Sequence, residues 1–590
     1  MSKRSKRLIL KKKIRNQRRQ FASFSFSANK QLDRHVFRRW QNVKSSQRFA
    51  TAWISLLALL IVILGVQIRS LGSYYLQPTP VSGGLYSEGM VGTLSNVNPI
   101  YASSAVDTAV SKLIFSGLIT FDGNNKPVGD LAQSWQINAS ATEYTIILKP
   151  NLFWQDGQKL TADDVMFTYQ TMQNPDAQSP FVGNWSGVTL TKINSRTIKF
   201  VLPNSYAPFL NSLTTGILPK HLLSKVAPTQ MRSISFNTTS PVGSGPFRLS
   251  AVTTNAQGQI IEMKKFDKYY RGVAKLDAIT IRTYGSSDAL LAALSKKQII
   301  TAAGIVTKDN QISSKYSLTS FNLMSANMLF LNNSSPVLGD VNVRKGLTSG
   351  TDIGSIMQAV GYKGVPVREP ILMGQIGYNP IYAQSPYNVS QAKNLLDKAG
   401  WTVVPGKAYR QKNGQDLTLN ITYQRDDELA RIIDVVQSEW TSLGVHVNVT
   451  IGQDTSSAPK FLDTHQYDVL LYGINMGADP DGFAYWDSSQ IGKKTPIHLN
   501  LSEYSSKVAD LAIEGARINT DIDLRSAKYQ PFLQAWQNDA PAIGLYQPRY
   551  LYISNQPIYG YDVRRPLNTP ADRFDNVNEW MVNTVRTKDL

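Results

Sequence analysis

The stretch Tyr144–Tyr169, YTIILKPNLFWQDGQKLTADDVMFTY, contains a complete strand, turn and helix start. Tyr144 to Leu148 has the length and the β-branched composition of a strand. Asp156-Gly157 suits a tight turn, in which glycine takes up the dihedral angles that other residues avoid. Thr161 is a natural helix N-cap, and Asp164, three residues on, stands where a carboxylate can return a bond to the cap. The helical pattern then runs from Ala162 to Met172.

The same alternation of short strands and amphipathic helices extends over the rest of the chain. Strands are expected at Thr197–Leu202, Leu417–Thr422 and Tyr467–Tyr472, and helices at Ser390–Ala399 and Asp427–Leu443. In the last of these, Leu429, Ile432, Ile433, Val436 and Trp440 fall on one face. There is no internal repeat of 20 to 50 residues, which argues against solenoids and propellers.

The N-terminal part has a different character. The first 50 residues hold 16 Lys or Arg and a single acid, Asp33. Ala50–Ile68, ATAWISLLALLIVILGVQI, then runs 19 residues without a charge. As a helix it would extend about 28 Å, close to the hydrocarbon thickness of a bilayer. The expectation is one transmembrane anchor with a cytoplasmic basic arm at 1–49 and the remainder outside, because basic flanks stay on the cytoplasmic side. The run is longer than a signal-peptide core and lacks a small-residue cleavage site after Val66. Residues 69–83, rich in Pro, Gly and Ser, read as a stalk.

Apportioning the charge removes a misleading signal. The whole chain carries +20, but residues 51–590 contribute only +5 of it. The basic pI therefore belongs to the arm, and no nucleic-acid partner is expected. The chain has no cysteine, which excludes a thiolate metal site, a cysteine nucleophile and a lipid-modified cysteine. No G-x-S-x-G, H-E-x-x-H or P-loop motif occurs, and the five histidines have no metal-ligand spacing. Neither an enzyme, a resident metal nor a cofactor is expected.

Several segments in fixed order resemble the extracellular solute-binding proteins of family 5, the oligopeptide and dipeptide binders of ABC importers. They are Leu94–Trp135, Tyr144–Tyr169, PVGSGPFRL at Pro241–Leu249, VNVRKGL at Val341–Leu347, YNVSQAKNLLDKAGW at Tyr387–Trp401, and YDVLLYGINMGADPDGFAYWDSSQ at Tyr467–Gln490. The resemblance spans roughly residues 84–560. It implies a two-lobed α/β fold of the periplasmic-binding-protein type II class, with a hinge. One lobe would comprise 84–320 with 550–590, the other 325–545, and the chain would cross between them near 321–326 and 543–549. It also implies a permease partner and a ligand held as an added β-strand.

By that resemblance the ligand-binding candidates are Gly473, Asn475 and Met476 on the second-lobe strand, and Glu88 on a first-lobe strand around Tyr86–Glu88. The family's amine-pairing aspartate falls on Met476 or Gly477, neither acidic, so Asp479 or Asp481 would have to serve. Tyr485 and Trp486 are expected to line the cleft. Trp154, Trp135 and Arg344 read as structural. Peptide is the expected solute; an oligosaccharide or metal chelate, or a membrane-tethered sensor role, are the alternatives.

Overall fold

The computed structural model describes residues 47–305, 312–452, 461–492, 499–561 and 566–588. They divide into two compact units, one formed by residues up to 79 together with those from 584, the other by residues 80–583. In the first, a 29-residue helix, Gln47–Tyr75, leads into the strand Leu76–Val81, which pairs with Asn583–Lys588. The expected stalk at 69–83 is thus helix end and paired strand. Its two prolines are tolerated because a two-stranded ribbon leaves each strand a free edge. The helix side chains described are those of residues 51–67, about 25 Å of helix at roughly 1.5 Å per residue. Among the described residues no helix is long and apolar enough to cross a membrane. The basic arm lies outside the described residues.

In the second unit the opening stretch folds as its residues dictate. Glu143–Leu148 is a strand, Gly157 takes a φ of 92°, and Ala162–Gln173 is a helix. Its capping box is closed: the Thr161 side chain accepts from the first turn, and the Thr161 N–H donates to Asp164 Oδ2 at 2.8 Å. The strand belongs to a four-stranded antiparallel sheet in the order Ala132–Ile137, Glu143–Leu148, Thr197–Val201, Thr189–Asn194. Trp154 and Tyr169 are fully buried in the core beside it.

Two larger sheets carry the lobes. A seven-stranded sheet runs Ser317–Asn322, Arg549–Ser554, Thr301–Ala303, Leu85–Val91, Ala278–Tyr284, Gly258–Lys265, Phe247–Asn255. A six-stranded sheet runs Val365–Pro366, Ala542–Gln547, Ser325–Leu331, Val469–Asn475, Thr418–Gln424, His446–Gly452. The chain passes from one to the other at 323–324 and back at Pro548. These two crossings are short, two residues and one residue between strands.

The helix Asp427–Ser442 buries Ile432, Ile433, Val436 and Trp440 against the six-stranded sheet. Arg344 is buried in the same lobe and donates to the carbonyls of Leu338, Gly339 and Asp539. It binds loop and helix-end carbonyls, a structural role.

Candidate solute-binding cleft

The strand Val469–Asn475 is lined on one side along its whole length by Ser325–Leu331, in antiparallel register from Leu331↔Val469 to Ser325↔Asn475. On its other side Thr418–Gln424 pairs only with Val469, Leu470 and Leu471. From Gly473 to Asn475 that second edge has no strand partner among the described residues, and both end residues are exposed. Glycine at 473 has a local reason: a Cβ would come within 2.7 Å of Asn327 Oδ1.

Beyond the strand the chain turns through Gly477, with φ 64°, into Asp479-Pro480-Asp481 and the four-residue helix Phe483–Trp486. Tyr485 donates its hydroxyl to the Asn475 carbonyl at 3.0 Å. Burial pushes the Tyr485 hydroxyl up to about 12, so it remains a donor at physiological pH. Phe483, two residues earlier, lines a cavity of about 870 Å³ between the lobes. Tyr206, Phe209 and Ser205 form the first-lobe wall, and Arg517, Ile518 and Glu514 stand opposite.

The lobes meet at one edge of this cavity through a small polar cluster. Tyr206 donates to Asp481 Oδ2 at 3.2 Å, and Ser205 donates to the Ile518 carbonyl at 2.7 Å. Arg517 Nε lies 3.1 Å from the Asp481 carboxylate, while its guanidinium sits 4.0 Å from the Phe483 ring centre and 5.0 Å from that of Tyr206. Burial raises the Asp481 carboxyl above its ordinary range, opposed by the nearby Arg517 cation. Asp481 therefore joins the two lobes.

Residues 126–494 match the bacterial extracellular solute-binding proteins, family 5 Middle. The chain belongs to this family. Among family members it is 25% identical to the oligopeptide-binding protein AppA of Bacillus subtilis (strain 168) over 512 residues, 85% of this chain and 92% of that protein. The structure of AppA in complex with a nonapeptide aligns with a TM-score of 0.69 at 24% identity, covering 85% of this chain and 100% of the solved chain. NikZ from Campylobacter jejuni, in complex with Ni(L-His), aligns with a TM-score of 0.70 at 25% identity, covering 84% and 99%. These relatives share the two-lobed fold of the family.

Several residues singled out from the sequence stand elsewhere than expected. Glu88 is fully buried and ion-paired with Arg573, and it also accepts from Tyr86 and Tyr552. Its strand has Ile281 on one side and Thr301 on the other. At Glu88 both edges are paired, so this residue is sheet interior and cannot accept a ligand strand; the Tyr86 side chain is equally buried. Trp486 is also fully buried, stacked 5.7 Å from Phe330 and edge-on to Trp536 at 6.0 Å. It anchors the helix that presents Phe483 and Tyr485. Met476 is buried in the same core, and its N–H donates to the Met324 carbonyl at 2.8 Å.

Asp479 likewise serves the lobe interior. Both of its oxygens accept from Arg525, at 2.8 Å each. Arg525, only 4% exposed, is committed further to the Ala516 carbonyl. A carboxylate already neutralised by a buried guanidinium has little left to offer a ligand ammonium. The residues that the sequence reading missed, Tyr206, Phe483 and Arg517, lie up to 311 positions apart and acquire meaning only through folding. The aromatic residue directly after Asp481-Gly482 was their one local sign.

Proposed function

We propose that this chain is the membrane-tethered, extracellular solute-binding component of an ABC importer, and that it captures peptides in extended form between its lobes. The observation that carries this reading is the open edge at Gly473–Asn475, linked through Tyr485 and Phe483 to the interlobe cavity. An unpaired strand edge supplies main-chain donors and acceptors that bind any peptide sequence alike. The cavity volume falls in the range of small-ligand sites, about 300–1,000 Å³. Closure would be favoured by contacts made only when the lobes meet, of which the Asp481 cluster is one set. AppA's bound nonapeptide supports the same solute class.

A second reading, a non-peptide solute such as an oligosaccharide or metal chelate, is favoured by the engagement of Asp479 with Arg525, since a free peptide amine would find no unpaired carboxylate there. NikZ shows the fold with a nickel chelate. The tether rests on the uncharged run 50–68 and on the exposure of Trp53, Leu57, Ile61 and Leu64 along the helix Gln47–Tyr75, an apolar surface unsuited to water.

Native mass spectrometry of the full-length chain released from detergent tests the solute class. A ladder of co-purifying short peptides supports the proposal, whereas one sugar or chelate species overturns it in favour of the second reading. Extraction of cell membranes with alkaline carbonate tests the tether: the chain should remain in the pellet, and its release into the supernatant would remove that part.

A further inference from the structure

A second cavity, of about 370 Å³, lies wholly within the second lobe. Its walls are mainly apolar, from Val367, Ile371, Leu372 and Pro380. Glu369 forms part of the same lining, although its residue is only 2% exposed. Its carboxylate accepts one hydrogen bond, from the Asn379 N–H to Oε2 at 3.1 Å. Among the described residues no Lys, Arg or His lies within ion-pairing distance of it. Among the described residues, four other acids of this lobe each have a basic partner: Asp397 has Arg410, Asp479 has Arg525, Asp481 has Arg517 and Glu503 has His465. Burial raises the Glu369 carboxyl to about 7, the cost of keeping this charge without a partner. Among the described residues, the other titratable side chains on the cavity are Arg368, exposed at its rim, and Tyr378.

We infer that this cavity is a binding site for a small primary amine with an apolar body, its ammonium paired with Glu369. A buried carboxylate with one backbone donor has unused acceptor positions, and an ammonium supplies both the missing charge and three donors. The apolar walls favour a hydrocarbon or aromatic body over a hydrated inorganic cation, which would have to shed its water. Arg368 at the rim is solvated, so it opposes entry weakly, and a zwitterion would enter ammonium first. Its lining shares no residue with that of the interlobe cavity.

The test is calorimetric titration of the full-length chain in detergent at pH 8 with phenethylammonium, and with 2-phenylethanol as its uncharged counterpart. The amine should bind at least tenfold more tightly than the alcohol. Glu369→Gln, which keeps the shape, should reduce amine affinity at least tenfold and leave the alcohol unchanged. Ala383→Phe, which fills the cavity from another wall with the carboxylate intact, should abolish both. Equal affinities for amine and alcohol, or amine binding untouched by either substitution, would overturn the inference.

Discussion

Replacing Asp479 with Asn separates a structural from a ligand-binding role for this residue. The Asp479 and Arg525 side chains are 12% and 5% exposed, and two parallel 2.8 Å contacts join them. Removing one partner of such a pair leaves the other charge buried, at a cost of about 3–5 kcal/mol. Asn retains one acceptor oxygen, and Arg525 keeps its bond to the Ala516 carbonyl, so the lower end, about 3 kcal/mol, is expected. Urea unfolding followed by tryptophan fluorescence reads this lobe through buried Trp486 and Trp536. The midpoint should fall with little change in slope. Pairing the substitution with Arg525→Met should recover most of the loss, since apolar replacement of a buried ion pair is near neutral. Ligand co-purification should persist in the single variant at low temperature. A stability change under about 1 kcal/mol, together with loss of bound solute, would refute the reasoning and return Asp479 to the binding site.

Glu369 and Tyr206 give two further expectations. Glu369 rises from 4.5 to about 7 on folding, so the native state holds a proton that the unfolded chain releases. Its contribution is fully present below about pH 4.5 and lost as pH rises through 7. Glu369→Gln should therefore stabilise the protein at pH 8 by about 3 kcal/mol relative to its effect at pH 4.5, and thermal unfolding at the two pH values checks this. Tyr206→Phe removes the interlobe bond to Asp481 while keeping the ring. A hydrogen bond to a charged group is worth about 1.5–3 kcal/mol, so the population of ligand-free closed protein should drop at least tenfold, measured by fluorescence transfer between dyes on the two lobes; an unchanged distance distribution would count against the latch.

Much of the fold was legible because its signals are local. Thr161 and Asp164 cap their helix through atoms three residues apart, and the apolar face of Asp427–Ser442 recurs within single turns. The crossings between the two large sheets, at 323–324 and Pro548, had no such local signal and were approached only through the family resemblance. The strand around Tyr86–Glu88 was implied by the family resemblance, which did not identify its neighbours. Whether that strand had a free edge depended on Thr301 and Ile281, some 200 residues away.

Charge partners and cavities were decided by tertiary structure alone. The sequence presents Asp479-Pro480-Asp481 as one acidic turn, yet folding sends Asp479 to Arg525 inside the lobe and Asp481 to Arg517 and Tyr206 at the seam. It presents Glu369 as an ordinary charged residue, and burial without a cation sets it apart. A sequence determines helices, strands and caps through contacts within a few residues. Pairing, burial and the open strand edge arise from contacts across hundreds of residues, and only the assembled fold selects among the partners available.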